Sequence, residues 1–261
     1  MNIKIVTTMS QSYWDRVGQY SVSTWPSLMP EGWKLWFHDT PELPVIPTKN
    51  LKSIAKEDWY NSAHTAVHGR NQPPGYQKDW GMFTHKVFAQ IESYKEDPTG
   101  IMIWCDSDVK WKKMPNTDLI SRALEGKFCA YLGRDRVDTS TTAKQKYSKL
   151  PNDTCIIVYN LDHPAAPAFF KNFEEVYTSF KIFDHYDWSD CGGFELAQEA
   201  TGKEFFNDVT KNDPPAINPL PLSLYDEYFE HWMGWTNKEA RSDISGTKEK
   251  EKIIKRLNKG R

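Results

Sequence analysis

One segment, Ile101–Cys105 (IMIWC), carries five apolar residues in a row and runs directly into an Asp-Ser-Asp motif. A strand that is apolar on both sides must be covered on both faces, which is typical of the parallel sheets of α/β proteins. Similar runs occur at Ile3–Thr8 and at residues 155–160, and residues 79–95 between them have helical spacing of apolar side chains. The sequence therefore predicts an α/β fold with a mainly parallel central sheet flanked by helices.

The remaining segments are less regular. Residues 12–28 predict a further helix, whereas residues 40–50 contain three prolines and predict a loop. No internal repeat or linker interrupts the chain, so we expect one domain over residues 1–245. Lysines alternate with apolar residues in the remaining tail, which predicts a basic amphipathic helix over residues 246–261.

Charge and composition restrict the class of protein. A formal net charge of −2 provides no basic field for a nucleic-acid partner. No segment approaches the ~20 apolar residues that a membrane span requires. The four cysteines are far apart and form no CxxC pair, which favours reduced thiols in a cytoplasmic protein, in the host cytoplasm if the chain is phage-encoded.

The Asp-Ser-Asp motif is the first candidate site. In extended backbone, residues i and i+2 point to the same side, so Asp106 and Asp108 can present two carboxylates to one cation. Ligands of open α/β sheets bind outside the carboxyl ends of the strands, where this motif falls. Hard oxygen ligands suit Mg²⁺ or Mn²⁺, which would also bind a diphosphate. The alternative is a solvated loop, because short DxD patterns are common by chance.

An apolar strand, Asp106-x-Asp108 and a second short apolar stretch at residues 109–111 resemble the core of the GT-A-fold glycosyltransferases. The resemblance implies that the two carboxylates hold Mn²⁺ or Mg²⁺, which neutralises the diphosphate of a nucleotide-sugar donor. It also implies a GT-A-like fold. Thr7 and Thr8 end the first strand, where this family binds the nucleotide base and ribose.

Three further residues follow from the same resemblance. Lys86 lies on the helix before the DxD strand, where basic residues of the family reach the diphosphate or the donor sugar. His231 and Gly234 resemble the His-x-x-Gly of glycogenin-like and lipopolysaccharide galactosyltransferase-like enzymes, which makes His231 the third metal ligand. Lys238 is the phosphate contact, although it falls one place later than in that pattern. The alternative for His231 is a packed or surface histidine.

An acidic motif precedes a predicted helix that begins near Asp190. Glycines at a helix start let a substrate approach the backbone, and Gly192 and Gly193 follow here. In the resembling enzymes an acid in this region holds sugar hydroxyls or places the catalytic group. Asp190 is the first candidate and Asp187 the second. The alternative for Asp190 is a helix N-cap.

These features predict a metal-dependent glycosyltransferase that moves a sugar to an acceptor hydroxyl of a glycan, a protein or a modified DNA base. Inversion would require Asp190 as the base, whereas the His-x-x-Gly resemblance favours retention. Two alternatives remain. A haloacid-dehalogenase-type phosphatase or phosphotransferase also has DxD after an apolar strand, but on its first strand. A non-catalytic carbohydrate-binding protein would account for the eleven tryptophans.

Overall fold

The computed structural model of the chain describes residues 2–9, 13–18, 21–38, 48–51, 57–73, 78–113, 115–134, 151–210, 220 and 223–231. The amphipathic helix predicted over residues 246–261 lies outside these ranges, as do Gly234 and Lys238. The domain limits proposed from the sequence therefore stay predictions.

In the described part of the chain, the centre is a sheet of seven strands, and two further strands pair with each other. The strands are β1 (Ile3–Thr8), β2 (Lys34–His38), β3 (Thr48–Leu51), β4 (Ile101–Cys105), β5 (Val109–Trp111), β6 (Cys129–Leu132), β7 (Asp153–Asn160), β8 (Phe206–Asp208) and β9 (Phe229–His231). The order in the central sheet is β3-β2-β1-β4-β7-β6-β8. Only β7 is antiparallel to its neighbours, β4 and β6, and the other four pairs are parallel. The predicted mainly parallel α/β sheet is confirmed.

Helices cover both faces of this sheet. They are α1 (Trp25–Leu28), α2 (Glu57–Val67), α3 (Trp80–Glu96), α4 (Thr117–Leu124), α5 (Ala166–Thr178) and α6 (Asp190–Thr201). Side chains of β4 alternate between two apolar cores: Met102 and Trp104 pack with α3, α5 and α6, whereas Ile103 and Cys105 pack with α1 and α4. The uninterrupted apolar run of β4 is therefore explained by burial on both sides.

Two local predictions are corrected. The described part of residues 12–28 forms separate turns and the short helix α1 instead of one helix. Core contacts of α1 outweigh the helical spacing of the sequence here: the Trp25 indole donates to the Val109 carbonyl at 3.0 Å and stacks on Trp111. The predicted loop over residues 40–50 ends early, because β3 begins at Thr48 and gains parallel backbone pairing with β2.

The four cysteines are buried and form no disulfide, in keeping with the prediction. Within the described ranges, no helix combines the length and apolar character needed to cross a membrane.

One edge of the sheet collects polar residues. β1 and β4 end there because they are parallel, and β7 begins there because it runs the opposite way. The chain continues from this edge into β5, which begins at Val109 and pairs with β9 in the small second sheet.

Candidate metal and diphosphate site

The Asp-Ser-Asp motif forms a tight, buried turn at the end of β4. The Asp106 amide donates to the Cys155 carbonyl of β7 at 2.8 Å, and the Val109 amide donates back to the Asp106 carbonyl at 3.0 Å. Both carboxylate residues are only 8% exposed. The Trp104 indole, two residues earlier on the same face, donates to Asp106 Oδ1 at 3.1 Å. This framework holds the carboxylates in place without exposing them.

His231 reaches the motif through strand pairing. In the antiparallel β5–β9 pair, His231 lies opposite Val109, the residue that follows Asp108. Its Nε2 is 3.4 Å from Asp108 Oδ1. One oxygen each of Asp106 and Asp108 and a ring nitrogen of His231 lie within 4.8 Å of one another. The structure thus brings together the three residues that the sequence analysis assigned to a metal.

A second group of potential ligands shares His231. Asp153 and Cys155 also lie within 4.8 Å of it and of each other. However, Asp153 is already neutralised by the buried Arg134 guanidinium at 2.5 Å, and burial raises the pKa of the Cys155 thiol well above its usual value. Of the two groups, Asp106, Asp108 and His231 are therefore the residues that could hold a divalent cation such as Mn²⁺ or Mg²⁺.

Lys86 extends from α3 into this acidic cluster. Its Nζ lies 2.7 Å from Asp106 Oδ2 and 3.7 Å from Asp190 Oδ2. Burial disfavours its charge, but the carboxylates of Asp106 and Asp190 more than offset this and raise the pKa of Lys86 well above its usual value. Lys86 therefore stays positively charged beside the carboxylates of Asp106 and Asp190.

The two carboxyl groups of the motif have pKa values that are shifted in opposite directions. Burial raises the pKa of Asp106 to about 7, although the Lys86 ammonium opposes this shift. Burial also disfavours the Asp108 carboxylate, yet the charge and hydrogen bond of His231, the Lys86 charge and the Tyr13 hydrogen bond together lower its pKa to about 2. Asp108 is thus the firmly ionised member of the pair.

The acidic motif before α6 places Asp190 beside Lys86. Ser189 is the N-cap and accepts a hydrogen bond from the Cys191 amide, so the alternative interpretation of Asp190 as the N-cap is wrong by one residue. Asp190 begins the helix, is 2% exposed, and accepts a hydrogen bond from the Thr154 hydroxyl at 2.7 Å. Asp187 Oδ1 accepts from the Ser189 amide at 2.7 Å and also from its hydroxyl, contacts that hold the start of α6.

The glycines of α6 make room for the chain itself. A Cβ at Gly192 would overlap the Asp187 carbonyl oxygen, and one at Gly193 would lie 2.5 Å from the Tyr177 hydroxyl oxygen. Tyr177 in turn donates to the Ser189 carbonyl at 3.0 Å. A side chain at either position would therefore obstruct the packing of α6, and the role of these glycines in substrate approach stays a prediction.

Gly192→Ala is expected to destabilise the protein by about 2 kcal/mol, or roughly 5 °C in Tm. The obstacle is a backbone carbonyl, which cannot rotate away as a side chain would. Thermal unfolding measures the effect. Glu199→Ala, on an exposed position of the same helix whose pair with Lys203 is worth a few tenths of a kcal/mol, is the control. Equal Tm values for both variants would contradict this packing role.

Other predicted positions lie at the same sheet edge. Thr7 and Thr8 end β1 and are buried, and the Thr7 hydroxyl has no hydrogen-bond partner among the described residues.

Tyr13 is a site residue that the sequence did not predict. Its hydroxyl donates to Asp108 Oδ2 at 3.0 Å, although the two residues are 95 positions apart in the chain. Burial, and then the Asp108 charge, raise the pKa of Tyr13, so its hydroxyl stays protonated. Tyr13 follows the carboxyl end of β1, where α/β sheets bind ligands, and this position in the sequence could have identified it as a site residue.

Thr154 was also missed, because its role depends on the direction of β7. Thr154 lies near the start of that strand, and only the antiparallel orientation brings it to the edge that holds Asp106 and Asp190. No local pattern in the sequence indicates that orientation.

The strand order, the helices on both faces and the acidic turn at the end of a central strand make up the GT-A fold of glycosyltransferases, as the sequence predicted. An active-site mutant of LgtC is similar over 98% of this chain and 94% of that chain, with a TM-score of 0.52 and 12% identity. The bifunctional glycosyltransferase WbbM in its apo form has a TM-score of 0.51 and 11% identity, over 89% of this chain and 46% of that chain. These likenesses establish the fold.

Mouse xyloside xylosyltransferase 1 in its apo form has a TM-score of 0.47 and 12% identity, over 80% of this chain and 85% of that chain. The assignment of the fold rests on the two structures with TM-scores above 0.5. No protein-family model and no curated protein sequence matches the chain.

Proposed function

We propose that the chain is a metal-dependent glycosyltransferase, which moves a sugar from a nucleotide-diphosphate donor to the hydroxyl of a glycan, a protein or a modified DNA base. The observation that carries this proposal is the meeting of Asp106, Asp108 and His231 within 4.8 Å. They meet at the strand edge where α/β folds bind ligands. The fold, which is that of glycosyltransferases, supports the same activity.

The residues present fit a small divalent cation. Asp106 and Asp108 supply hard oxygen ligands and His231 a ring nitrogen, a set that Mn²⁺ and Mg²⁺ accept. When bound, the ion supplies a Lewis acid that stabilises the charge on the leaving diphosphate. Lys86 adds a fixed positive charge next to it. Lys238, which follows His231 in the sequence, is assigned as a further phosphate contact.

The remaining roles follow the same geometry. Thr7 and Thr8 are assigned to the base and ribose; both are buried, and the Thr7 hydroxyl has no hydrogen-bond partner among the described residues. Asp190 is assigned to the donor or acceptor hydroxyls, and Asp187 is the second candidate. Thr154 and Lys86 both approach Asp190 through Oδ2, which fixes the orientation of this carboxylate in the site.

A nucleotide-sugar panel tests the proposal. Melting temperatures are measured with UDP-, GDP- and CMP-sugars, each with and without Mn²⁺, and the released nucleotide is quantified. One donor class should stabilise the protein only when metal is present, by about 2.7 kcal/mol at a concentration 100 times Kd. Mn²⁺ alone is the control.

A phosphomonoester and free sugars are added to the panel to separate the alternatives. Phosphate release from a phosphomonoester would indicate a phosphatase of the haloacid-dehalogenase type. Stabilisation by free sugars without nucleotide would indicate a carbohydrate-binding protein. The proposal fails if no nucleotide-sugar shifts the melting temperature in a metal-dependent way.

A further inference from the structure

A chain of hydrogen-bonding side chains lies behind the Asp190 carboxylate. The Thr154 hydroxyl of β7 donates to Asp190 Oδ2 at 2.7 Å, and its oxygen is also 3.2 Å from Cys191 Sγ. A hydroxyl has one hydrogen, and an ionised carboxylate can only accept. The Thr154 hydrogen is therefore used on Asp190, which leaves the Cys191 thiol as the donor to the Thr154 oxygen.

Burial separates these hydrogen bonds from water. Thr154, Asp190 and Cys191 are all buried. Burial, and then the Asp190 charge, raise the pKa of the Cys191 thiol, so the thiol keeps its proton and can donate. Consecutive hydrogen bonds in such an environment strengthen one another, because each donor is polarised by the next acceptor.

The two oxygens of Asp190 have different surroundings. Oδ2 accepts the Thr154 hydrogen bond and lies 3.7 Å from Lys86 Nζ. Oδ1 has no hydrogen-bond partner in the part of the chain that the structure describes, although Asp190 is only 2% exposed. Thr154 belongs to β7 and Lys86 to α3, so two separate elements fix the rotation of this carboxylate. Oδ1 thereby keeps both of its lone pairs for a hydroxyl that enters the site.

We propose that Thr154 is a positioning residue for sugar transfer: its hydroxyl, oriented by the Cys191 thiol, holds Asp190 with Oδ1 towards a sugar hydroxyl of the substrate. This inference rests on the proposed function, because Asp190 needs a fixed orientation only if a sugar binds there. Thr154 and Cys191 do not contact the substrate themselves. Both act through the Asp190 carboxylate, which turns towards Lys86 when the Thr154 hydroxyl is lost.

Infrared spectroscopy of the protein without metal or donor tests the hydrogen bonds themselves. The S–H stretching band of Cys191 is identified by its absence from Cys191→Ala. A thiol that donates to a hydroxyl oxygen absorbs at a lower frequency than one without an acceptor. The band should therefore move to higher frequency in Thr154→Val and stay in place in Thr154→Ser. An unmoved band in Thr154→Val would overturn the role of Cys191 as the donor.

Turnover separates the hydroxyl of Thr154 from its methyl group. Valine keeps the methyl group and the shape of the side chain, whereas serine keeps the hydroxyl. With donor and Mn²⁺, Thr154→Val is expected to lower kcat about tenfold and to change the donor KM by less than about twofold. A misplaced carboxylate impairs the orientation of the reacting groups more than it impairs binding. Thr154→Ser should retain kcat within about twofold.

Thr84→Val is the matched control. Thr84 is also buried, and its hydroxyl donates at 2.7 Å to the Trp80 carbonyl of its own helix, so this variant should keep the kcat of the unmodified chain. Melting temperatures of all variants are measured in parallel, so that a folding defect is separated from a misplaced carboxylate.

The outcomes are distinct. Equal kcat values for Thr154→Val and the unmodified chain would overturn the positioning role while the proposed function stands. An equal loss of kcat in Thr154→Ser and Thr154→Val would overturn it too, because the hydroxyl would then have no effect of its own. If the unmodified chain transfers no sugar from any donor, the proposed function fails as well.

Discussion

Asp108→Asn is expected to abolish metal-dependent stabilisation by the donor and to lower the rate of donor turnover by about 10²–10³-fold. Asp108 is the firmly ionised carboxylate of the pair, with its pKa lowered to about 2. An amide keeps the size of the side chain and can still meet Tyr13 and His231, but it removes the charge that a divalent cation requires. Melting temperatures with donor and Mn²⁺, and nucleotide release, measure the loss.

Asp118→Asn is the matched control for this variant. Asp118 is an exposed carboxylate on α4 that pairs with Arg122 at 3.0 Å on the surface, where such a pair contributes little. It should retain the metal-dependent shift in full. The metal-free melting temperature of each variant is measured in parallel, so that a folding defect is separated from a lost ligand. If the donor and Mn²⁺ raise the melting temperature of Asp108→Asn as much as that of the unmodified protein, Asp108 is not a metal ligand.

Lys86→Met is expected to lower the free energy of unfolding by about 3 kcal/mol in the absence of metal. Lys86 is the cationic partner of two buried carboxylates, Asp106 at 2.7 Å and Asp190 at 3.7 Å. Methionine keeps the apolar length of the side chain but leaves both acids uncompensated. Denaturant unfolding with and without Mn²⁺ measures the effect, and Mn²⁺ should restore part of the loss because it brings positive charge back to Asp106.

The same helix offers a control for this substitution. Lys95 also lies on α3 and also contacts two carboxylates, Glu92 at 3.1 Å and Glu174 at 2.6 Å, but its side chain is 46% exposed. Lys95→Met should cost less than about 1 kcal/mol, and Mn²⁺ should not change that cost. Similar losses in the two variants would show that burial of the Lys86 cluster adds nothing to stability.

Local patterns were sufficient for the parts of the site that lie on or beside one strand. The apolar run of β4 identified a strand buried on both faces, and the i, i+2 spacing placed Asp106 and Asp108 on one side. The periodic helix just before that strand was also predicted, whereas Lys86 on it was named only by the resemblance to GT-A glycosyltransferases. These inferences need only the burial of neighbouring side chains, which the order of residues encodes directly.

The contacts between distant segments were decided by the tertiary structure alone. The meeting of His231 with Asp108 depends on the β5–β9 pairing, and that of Thr154 with Asp190 on the antiparallel direction of β7. A strand's side-chain period does not reveal its partner or its direction, because both arise from long-range packing. The Asp-Ser-Asp motif was thus encoded locally as two carboxylates on one side of a chain. Its contact with His231 and the unequal pKa values of its two acids arise only when distant segments pack around it.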